Sequence, residues 1–477
     1  MNRKWFAILL AVCLLSCTKG FINPSLPALD NSSAGYYFPV TITVDQNHPG
    51  YKIPSRFEGL SYETGLLVSS PDYLNENNAV LIQLIRNLGD GVLRIGGNSS
   101  DKINWTGKAR TANTSVDSLT TTEIDHLSAF SRAARWPVIF GLNLANNNAE
   151  EASKEAKYVN NSLKNNLVAF QSGNEPDVFK LGPRTSNYNF SNYQQDWENY
   201  LTAVKKTAPD ALFAGPDITP YNGDWIKWFA VKENKNVMLI DGHYYVTGPA
   251  SNPSINYQDI LATDTKLAPY LATLNSESSK YNLSYRVSEC NSVWGGGKKG
   301  VSDIFASALW ALDFMWNVAE NKGQGINFHG GGSFFVYTPV ADENGVFVAQ
   351  PEYYAMLAFK YGGTGKTIIP VTTNDAGYNF SAHACTNADK TYSITLINKE
   401  AAKNFCFTVK LNNAASTIQV ARLIAPAINS AKGITFAGSA VNADGTFIPA
   451  VTEQYTVTNQ SFVVKIPAGS AAVITVQ

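Results

Sequence analysis

The stretch Val168-Ala169-Phe170-Gln171-Ser172-Gly173-Asn174-Glu175-Pro176-Asp177 reads as a short apolar strand that stops abruptly at Asn-Glu-Pro. Proline ends the strand because it lacks an N–H and fixes its own φ, so Glu175 is placed just beyond a strand end. The segment Tyr285-Arg286-Val287-Ser288-Glu289-Cys290-Asn291 repeats the pattern, an apolar run closing on a lone acid. Working outward, further strands are predicted at 57–63, 91–96, 137–144, 211–216, 237–243 and 324–329, which with 167–172 and 283–289 makes eight. Amphipathic helical stretches separate them. The clearest carries Leu81, Leu84, Ile85 and Leu88 at helical spacing and stops at Gly89. Others are predicted at 122–135, 149–163, 191–208, 224–234, 301–320 and 352–361, and Trp310 and Trp316 fall on a helix as core residues. Strands read as continuous apolar runs when both faces are covered. Eight such units favour a closed (β/α)8 TIM barrel, whose functional groups lie at the C-terminal strand ends.

Beyond Gly363 the helical period is lost. Alternating Thr/Val/Ile-rich runs at 391–397, 405–411, 417–423 and 473–477 predict an additional antiparallel β-sandwich domain. The run Phe38–Val44 alternates in the same way and is expected to pair into that sandwich. The predicted organisation is therefore 1–17 leader, 18–37 tether, 38–50 sandwich strand, 51–363 barrel and 364–477 sandwich.

Asn2-Arg3-Lys4 followed by an apolar run that ends in Leu14-Leu15-Ser16-Cys17 resembles a bacterial lipoprotein signal, with Cys17 as the lipidated residue. The expectation is export, anchoring through that lipid, and a periplasmic, outer-membrane or cell-surface location. Cys290, Cys385 and Cys406 remain, too few for a disulfide framework, and a Cys385–Cys406 bridge stays open. Net charge is −1 with no basic stripe, which argues against a nucleic-acid partner. Five histidines without metal-ligand spacing argue against a metal. The oligomeric state is not legible.

Two carboxylates at facing strand ends suit cleavage of an acetal, one donating a proton while the other meets the anomeric carbon. On the fourth and seventh strands they are expected roughly 5–5.5 Å apart, the spacing for retention of configuration. Around them, Tyr245 is placed to orient Glu289, while Tyr244 faces the wall. Asn174, Glu63, Asn98 and His329 are candidate contacts to sugar hydroxyls. His243 either faces the cleft or is a core histidine. Arg94 either supports the surroundings of Glu289 or pairs as a structural cation. Tyr337 is a candidate donor to a carboxylate.

Asn174-Glu175-Pro176 with Glu289 resembles the clan of retaining barrel glycosidases. Trp294-Gly295-Gly296-Gly297, Ser302-Asp303, Leu93-Arg94-Ile95-Gly96-Gly97-Asn98 and Asp241-Gly242-His243-Tyr244-Tyr245 are similar to glycoside hydrolase family 79, the family of microbial β-glucuronidases and heparanase. The resemblance spans about residues 38–477 and implies exo- or endo-acting hydrolysis of a β-linked glucuronide or a derivative in a glycan, with no cofactor, Glu175 as acid/base and Glu289 as nucleophile. In the family a tyrosine usually precedes the glycine run and helps to hold the uronate; here it is Trp294. The backbone N–H groups from Gly295 to Gly297 are then expected to face the anion. Two other readings share these residues: a retaining hydrolase of the same clan acting on neutral glycosides, and a non-catalytic carbohydrate-binding lipoprotein.

Overall fold

The computed structural model describes residues 36–374, 377–450, 453–457 and 460–477. The leader, Cys17 and nearly all of the predicted tether lie outside the described residues.

Strand β1 (Tyr37–Val44) precedes eight parallel strands: β2 (Gly59–Glu63), β3 (Val92–Gly96), β4 (Val138–Leu142), β5 (Leu167–Ser172), β6 (Ala214–Ile218), β7 (Leu239–Thr247), β8 (Ser284–Val293) and β9 (Ile326–Gly330). Their order is β5-β4-β3-β2-β9-β8-β7-β6. A parallel bridge from Phe170 to Phe213 joins the two ends into a closed (β/α)8 barrel. Helices Ala79–Asn87, Thr121–Ala134, Ala149–Leu163, Phe190–Thr207, Gly223–Glu233, Phe305–Glu320 and Pro351–Gly362 pack around it. Several begin at side-chain caps, such as the reciprocal capping box of Thr120 and Glu123.

Three local departures from the sequence reading have simple causes. The fifth barrel strand starts later than 211, because Ala211 still donates to Ala208 O in the turn after the helix. It also runs past Pro216 and so carries Asp217 into the barrel. Helix 301–320 begins only at Phe305, since the N–H groups of Val301 and Ser302 bond back to Lys298 O. Helices Tyr257–Leu261 and Leu267–Ser279 fill the crossover after β7, where no helix was predicted. The helical spacing of Leu267, Tyr270, Leu271 and Leu274, all buried, was the signal.

Apart from two short two-stranded ribbons in the barrel loops, the remaining described strands form a second domain of two sheets. β10 (Thr367–Ile369), β12 (Phe380–Thr386), β13 (Tyr392–Asn398), β19 (Ser470–Val476), β15 (Thr417–Ile424) and β16 (Thr435–Phe436) lie in that order, with β17 (Glu453–Thr456) also on β15. The other sheet runs β11 (Val371–Thr373), β1, β14 (Asn404–Leu411) and β18 (Ser461–Ile466). β1 pairs with β14 in parallel over Tyr37–Val44, so this sheet is not wholly antiparallel. No hairpin links β1 to its partner, and nothing in the connection forces it to run the other way. Cys385 and Cys406 are both free thiols and sit in different sheets.

Inside the barrel, period-two alternation stacks side chains in layers. Val92, Ile139, Ala169, Ala214 and Leu239 form an apolar plug. Two residues further along their strands come Arg94, Gly141, Gln171 and Asp241, and two further again Gly96 and His243. Glycine is required at Gly96, where a Cβ would fall 2.9 Å from Cζ of Arg94. A charged layer therefore lies directly beneath the barrel mouth.

Candidate active site

Glu175 follows β5 through a turn that its surroundings fix closely. Gly173 takes φ 81° against Leu144, where a Cβ would clash at 2.9 Å. Asp101 accepts from the N–H groups of Asn174, Leu144 and Ala145 at 2.7, 2.8 and 3.0 Å. Glu175 itself has φ 51°, a left-handed conformation costing about 1–3 kcal/mol for a non-glycine residue. Its N–H is held by Asp217 O at 2.8 Å. Pro176 then opens the 3-10 turn Pro176–Leu181, where its missing N–H costs nothing. Asp177 ties that turn to the loop after β6, accepting from Thr219 N and Asn222 Nδ2.

Glu289 arrives on β8 at a register shift between Val287 and Glu289. The bulge turns consecutive side chains inward. Ser288 Oγ donates to Asp217 Oδ1 at 2.9 Å, while Glu289 takes bonds from Arg94 Nη1 at 2.8 Å and from the Tyr245 hydroxyl at 2.7 Å. Ligand atoms of Glu175, His243 and Glu289 all lie within 4.8 Å of one another, so the two carboxylates oppose each other at close range.

Beneath them Arg94 is completely buried. It donates to Gln171 Oε1, Ser61 Oγ, Asn174 Oδ1 and Asp217 Oδ2 as well as to Glu289. His243 bridges the network, with Nδ1 3.0 Å from Glu175 Oε1 and Nε2 2.9 Å from Asp217 Oδ1. Burial disfavours its charge, but Asp217 and Glu289 outweigh that and raise its pKa well above the ordinary value, so both ring nitrogens donate. For Glu289, burial alone would raise the pKa; the field of His329, His243 and Arg94, with the Tyr245 hydrogen bond, overcomes it and holds the carboxylate ionised. Asp217 is likewise lowered against its burial by Arg94 and His243. Its neighbour Asp241 is raised by burial and then by the Asp217 charge. Gln171 Nε2 donates to both acids and keeps the pair together. Both oxygens of Glu289 already accept hydrogen bonds, Oε2 from Arg94 and Oε1 from Tyr245.

The cleft above has a volume of about 690 Å³, and its walls include Glu63, Asn98, Glu175, Tyr245, Glu289, Trp294, Gly295, Gly296, His329 and Tyr337. Three candidate site residues lie below the cleft, Arg94 against Glu289 as the first of its two readings has it, His243 in the core, and Asn174 away from the expected sugar hydroxyls. Arg94 and His243 are fully buried under the floor, and Asn174, 4% exposed, faces Arg94 and Asn98 rather than lining the cleft. The reason is geometric: each is an inward residue one layer below the mouth, or is turned inward by the Asp101 clamp. Tyr244 points outward to Asp264 and stacks on Tyr270 and Phe314. Glu63 is pinned by the N–H groups of Asn98 and Ser99 and by the Ser99 hydroxyl. His329 bonds Ser61 Oγ at 3.0 Å and lies edge-on to Phe335.

The glycine loop also differs from the sequence reading. The Gly297 N–H is used by Val293 O at 3.1 Å, and the Trp294 N–H by Thr247 O at 3.0 Å. Gly297 is there for packing, since a Cβ would meet Tyr337 N at 2.4 Å. The Gly296 N–H faces the Tyr337 hydroxyl, which lies 3.4 Å from that of Tyr245. Residues missed at the sequence level are Asp217, Gln171, Ser61 and Asp101. For Asp217 a signal existed: Gly215-Pro216-Asp217 ends an apolar run in an acid, as Glu175 and Glu289 do.

Comparison with known proteins fits this geometry. Residues 382–473 match the glycosyl hydrolase family 79 C-terminal beta domain. The chain is 25% identical over 440 residues to a β-glucuronidase of Aspergillus niger, covering 78% of this chain and 81% of that one. It is 26% identical over 249 residues to heparanase of Rattus norvegicus, covering 50% and 45%. Among solved structures, a 4-O-α-L-rhamnosyl-β-D-glucuronidase from Fusarium oxysporum superposes with TM-score 0.74 at 18% identity, over 91% of this chain and all (100%) of that one. An arabinofuranosidase of family 51 from Xanthomonas axonopodis pv. citri gives TM-score 0.71 at 16% identity, over 92% and 100%.

Proposed function

We propose that this chain, a glycoside hydrolase whose C-terminal domain is that of family 79, cleaves β-linked glucuronides with retention of configuration. Glu289 attacks the anomeric carbon, and Glu175 gives its proton to the leaving oxygen. Glu175 then deprotonates the water that releases the sugar from Glu289. The observation that carries the reading is the close opposition of two carboxylates in unlike environments. Glu289 is buried, ionised and bonded to Arg94 and Tyr245. Glu175 is held at Oε1 by His243, which leaves Oε2 for the leaving group. Glu63, Asn98 and His329 would take sugar hydroxyls. Arg94, His243, Asp217 and Asn174 act through the carboxylates as positioning residues.

For the uronate, the Tyr337 hydroxyl and the Trp294 indole are the candidate donors, both among the residues that line the cleft. No Lys or Arg is among the lining residues, so the anion would be held by neutral dipoles. That same lack of cations is what favours the rival reading, a neutral glycoside. Aryl β-glucuronide should be turned over at least roughly tenfold better in kcat/KM than the matching glucoside, xyloside or arabinoside, about 1.4 kcal/mol. Equal or reversed preference contradicts the glucuronide reading. We also propose export and lipid anchoring at Cys17; Cys17→Ala should move the chain out of the membrane fraction, and unchanged partitioning would contradict this.

A further inference from the structure

The two sheets of the sandwich face different surroundings. The larger sheet turns Cys385, Ile397, Leu423 and Val473 into the core that it shares with the barrel. The smaller sheet, β11-β1-β14-β18, buries Val40, Phe407 and Val464 against Ile394, Leu396 and Ile474 of the larger one. Its other side points away from both. Alternation makes that outer side continuous: Pro39, Lys410, Val463 and Lys465 are exposed, and the outward positions between them are half-buried.

Charge, rim and chain entry all bear on what meets this side. None of its four strands contains Asp or Glu, and their charged residues are Lys410 and Lys465. Among the described residues neither lysine pairs with a carboxylate, whereas Lys403 at the rim lies 3.7 Å from Glu400. The whole chain carries −1, so the positive sign of this side comes from placement and not from composition. At the rim, Tyr36 is 70% exposed and lies edge-on to Phe38. Tyr37 sits under Lys465 Nζ at 5.0 Å, and Tyr378 under Lys403 Nζ at 4.9 Å. Tyrosine and lysine suit a lipid headgroup boundary, since each joins an apolar body to a polar tip. Tyr36 also leads directly into β1 of this sheet, with residues 18–35 between it and Cys17. Fully drawn out, that stretch spans at most about 65 Å. A tether of this length holds the sandwich at an effective concentration on the order of millimolar beside the surface that takes the lipid, so a weakly attractive side suffices to set the orientation. A second copy of the chain is a poorer occupant, because two such sides would oppose lysine to lysine.

We propose that the outer side of this sheet rests on an anionic lipid surface, with the sandwich standing between the bilayer and the catalytic barrel. The proposal rests on the lipid-anchor reading of Cys17 and adds an orientation that a lipid chain alone does not impose. A native thiol reports on it. Cys406 lies on this side, in register with Pro39 and Lys465, and is half-buried where Cys290 and Cys385 are buried. The full chain carrying its lipid is anchored in vesicles of phosphatidylethanolamine and phosphatidylglycerol, three parts to one, or of phosphatidylcholine alone. Reaction with a water-soluble maleimide is then followed by mass spectrometry. Cys406 should react at least roughly fivefold more slowly on the anionic vesicles. Lys410→Glu with Lys465→Glu should bring the ratio of the two rates back near one, with the chain still on the vesicles and its glycosidase activity unchanged. A thiol placed across the barrel by Lys157→Cys, an exposed position of helix Ala149–Leu163, should react alike on both lipids. Equal Cys406 rates on the two lipids, or protection that survives the double reversal, overturns the docked side and leaves the anchor standing. Protection that grows with the density of protein on phosphatidylcholine also overturns it and assigns the side to a second copy. A chain that carries no lipid on Cys17 and stays off both kinds of vesicle overturns the anchor and the docked side together.

Discussion

The described residues include two charged clusters built from the same parts. At the barrel mouth, His243 lies between Glu175 and Asp217, with Arg94 against Asp217 and Glu289. At the seam between barrel and sandwich, His383 sits 2.7 Å from Glu320 and 3.7 Å from Asp313, and Lys399 lies 2.6 Å from Asp313. Both histidines are raised and both central acids lowered, so perturbed ionisation does not distinguish them. Geometry does. The seam cluster is sandwiched between helix Phe305–Glu320 and β12, with His383 stacked flat on Trp316 at 4.9 Å. The mouth cluster opens on a cleft through two carboxylates, one in a strained left-handed turn. A charged network whose carboxylates oppose each other across a cleft reads as a site; one pinned against a packed ring, with Glu320 alone reaching solvent, reads as a clamp.

Substitutions should separate the two clusters, beginning with the largest effect. Glu289→Gln keeps the shape of the mouth but removes the proposed nucleophile, and kcat should fall by roughly 10⁴ or more with melting temperature little changed. Turnover within tenfold of the parent would erase the distinction. At the seam, Asp313→Asn leaves Lys399 buried without its counter-charge and should cost about 3–5 kcal/mol in denaturant unfolding, with kcat/KM of the folded enzyme unchanged. Loss of activity without loss of stability would make the seam part of the site. Asp217→Asn tests the floor: it weakens the hold on Arg94 and His243, and kcat should drop by about 10²-fold with little change in KM and a shifted acid limb of the pH–rate profile.

The smallest effect is pH-dependent. Burial would lower the His383 pKa, but Glu320 and Asp313 raise it to about 9. A histidine raised on folding stabilises fully below its unfolded pKa, and the contribution is lost as pH climbs through the folded value. Between pH 7 and 9 the protein should lose about 2 kcal/mol of stability, and His383→Gln should flatten that slope. A slope unchanged in the variant would place the titration elsewhere.

Much of this was legible in the chain and some was not, for identifiable reasons. Strand β5 and helix Ala149–Leu163 were read with their observed limits, because Pro176 and the cap Asn148 mark the boundaries locally. Glu175, Glu289 and Tyr245 were legible because a strand-end acid and period-two alternation are local signals. The burial of Arg94 was not, since its partners come from β2, β5, β6 and β8. Asp217 was hidden because Pro216 looks like a terminator, yet the chain continues through a left-handed residue at φ 58°. The spent N–H of Gly297 and the His383 clamp arise from tertiary contacts that no local pattern carries.

The most direct test is to trap the intermediate. Incubation with a 2-deoxy-2-fluoro-β-glucuronide bearing a good leaving group, followed by proteolysis and mass spectrometry, should find the sugar esterified to the peptide containing Glu289, and Glu289→Gln should remain unlabelled. Label on another residue, or proton NMR showing the α-anomer as the first product, would contradict the account.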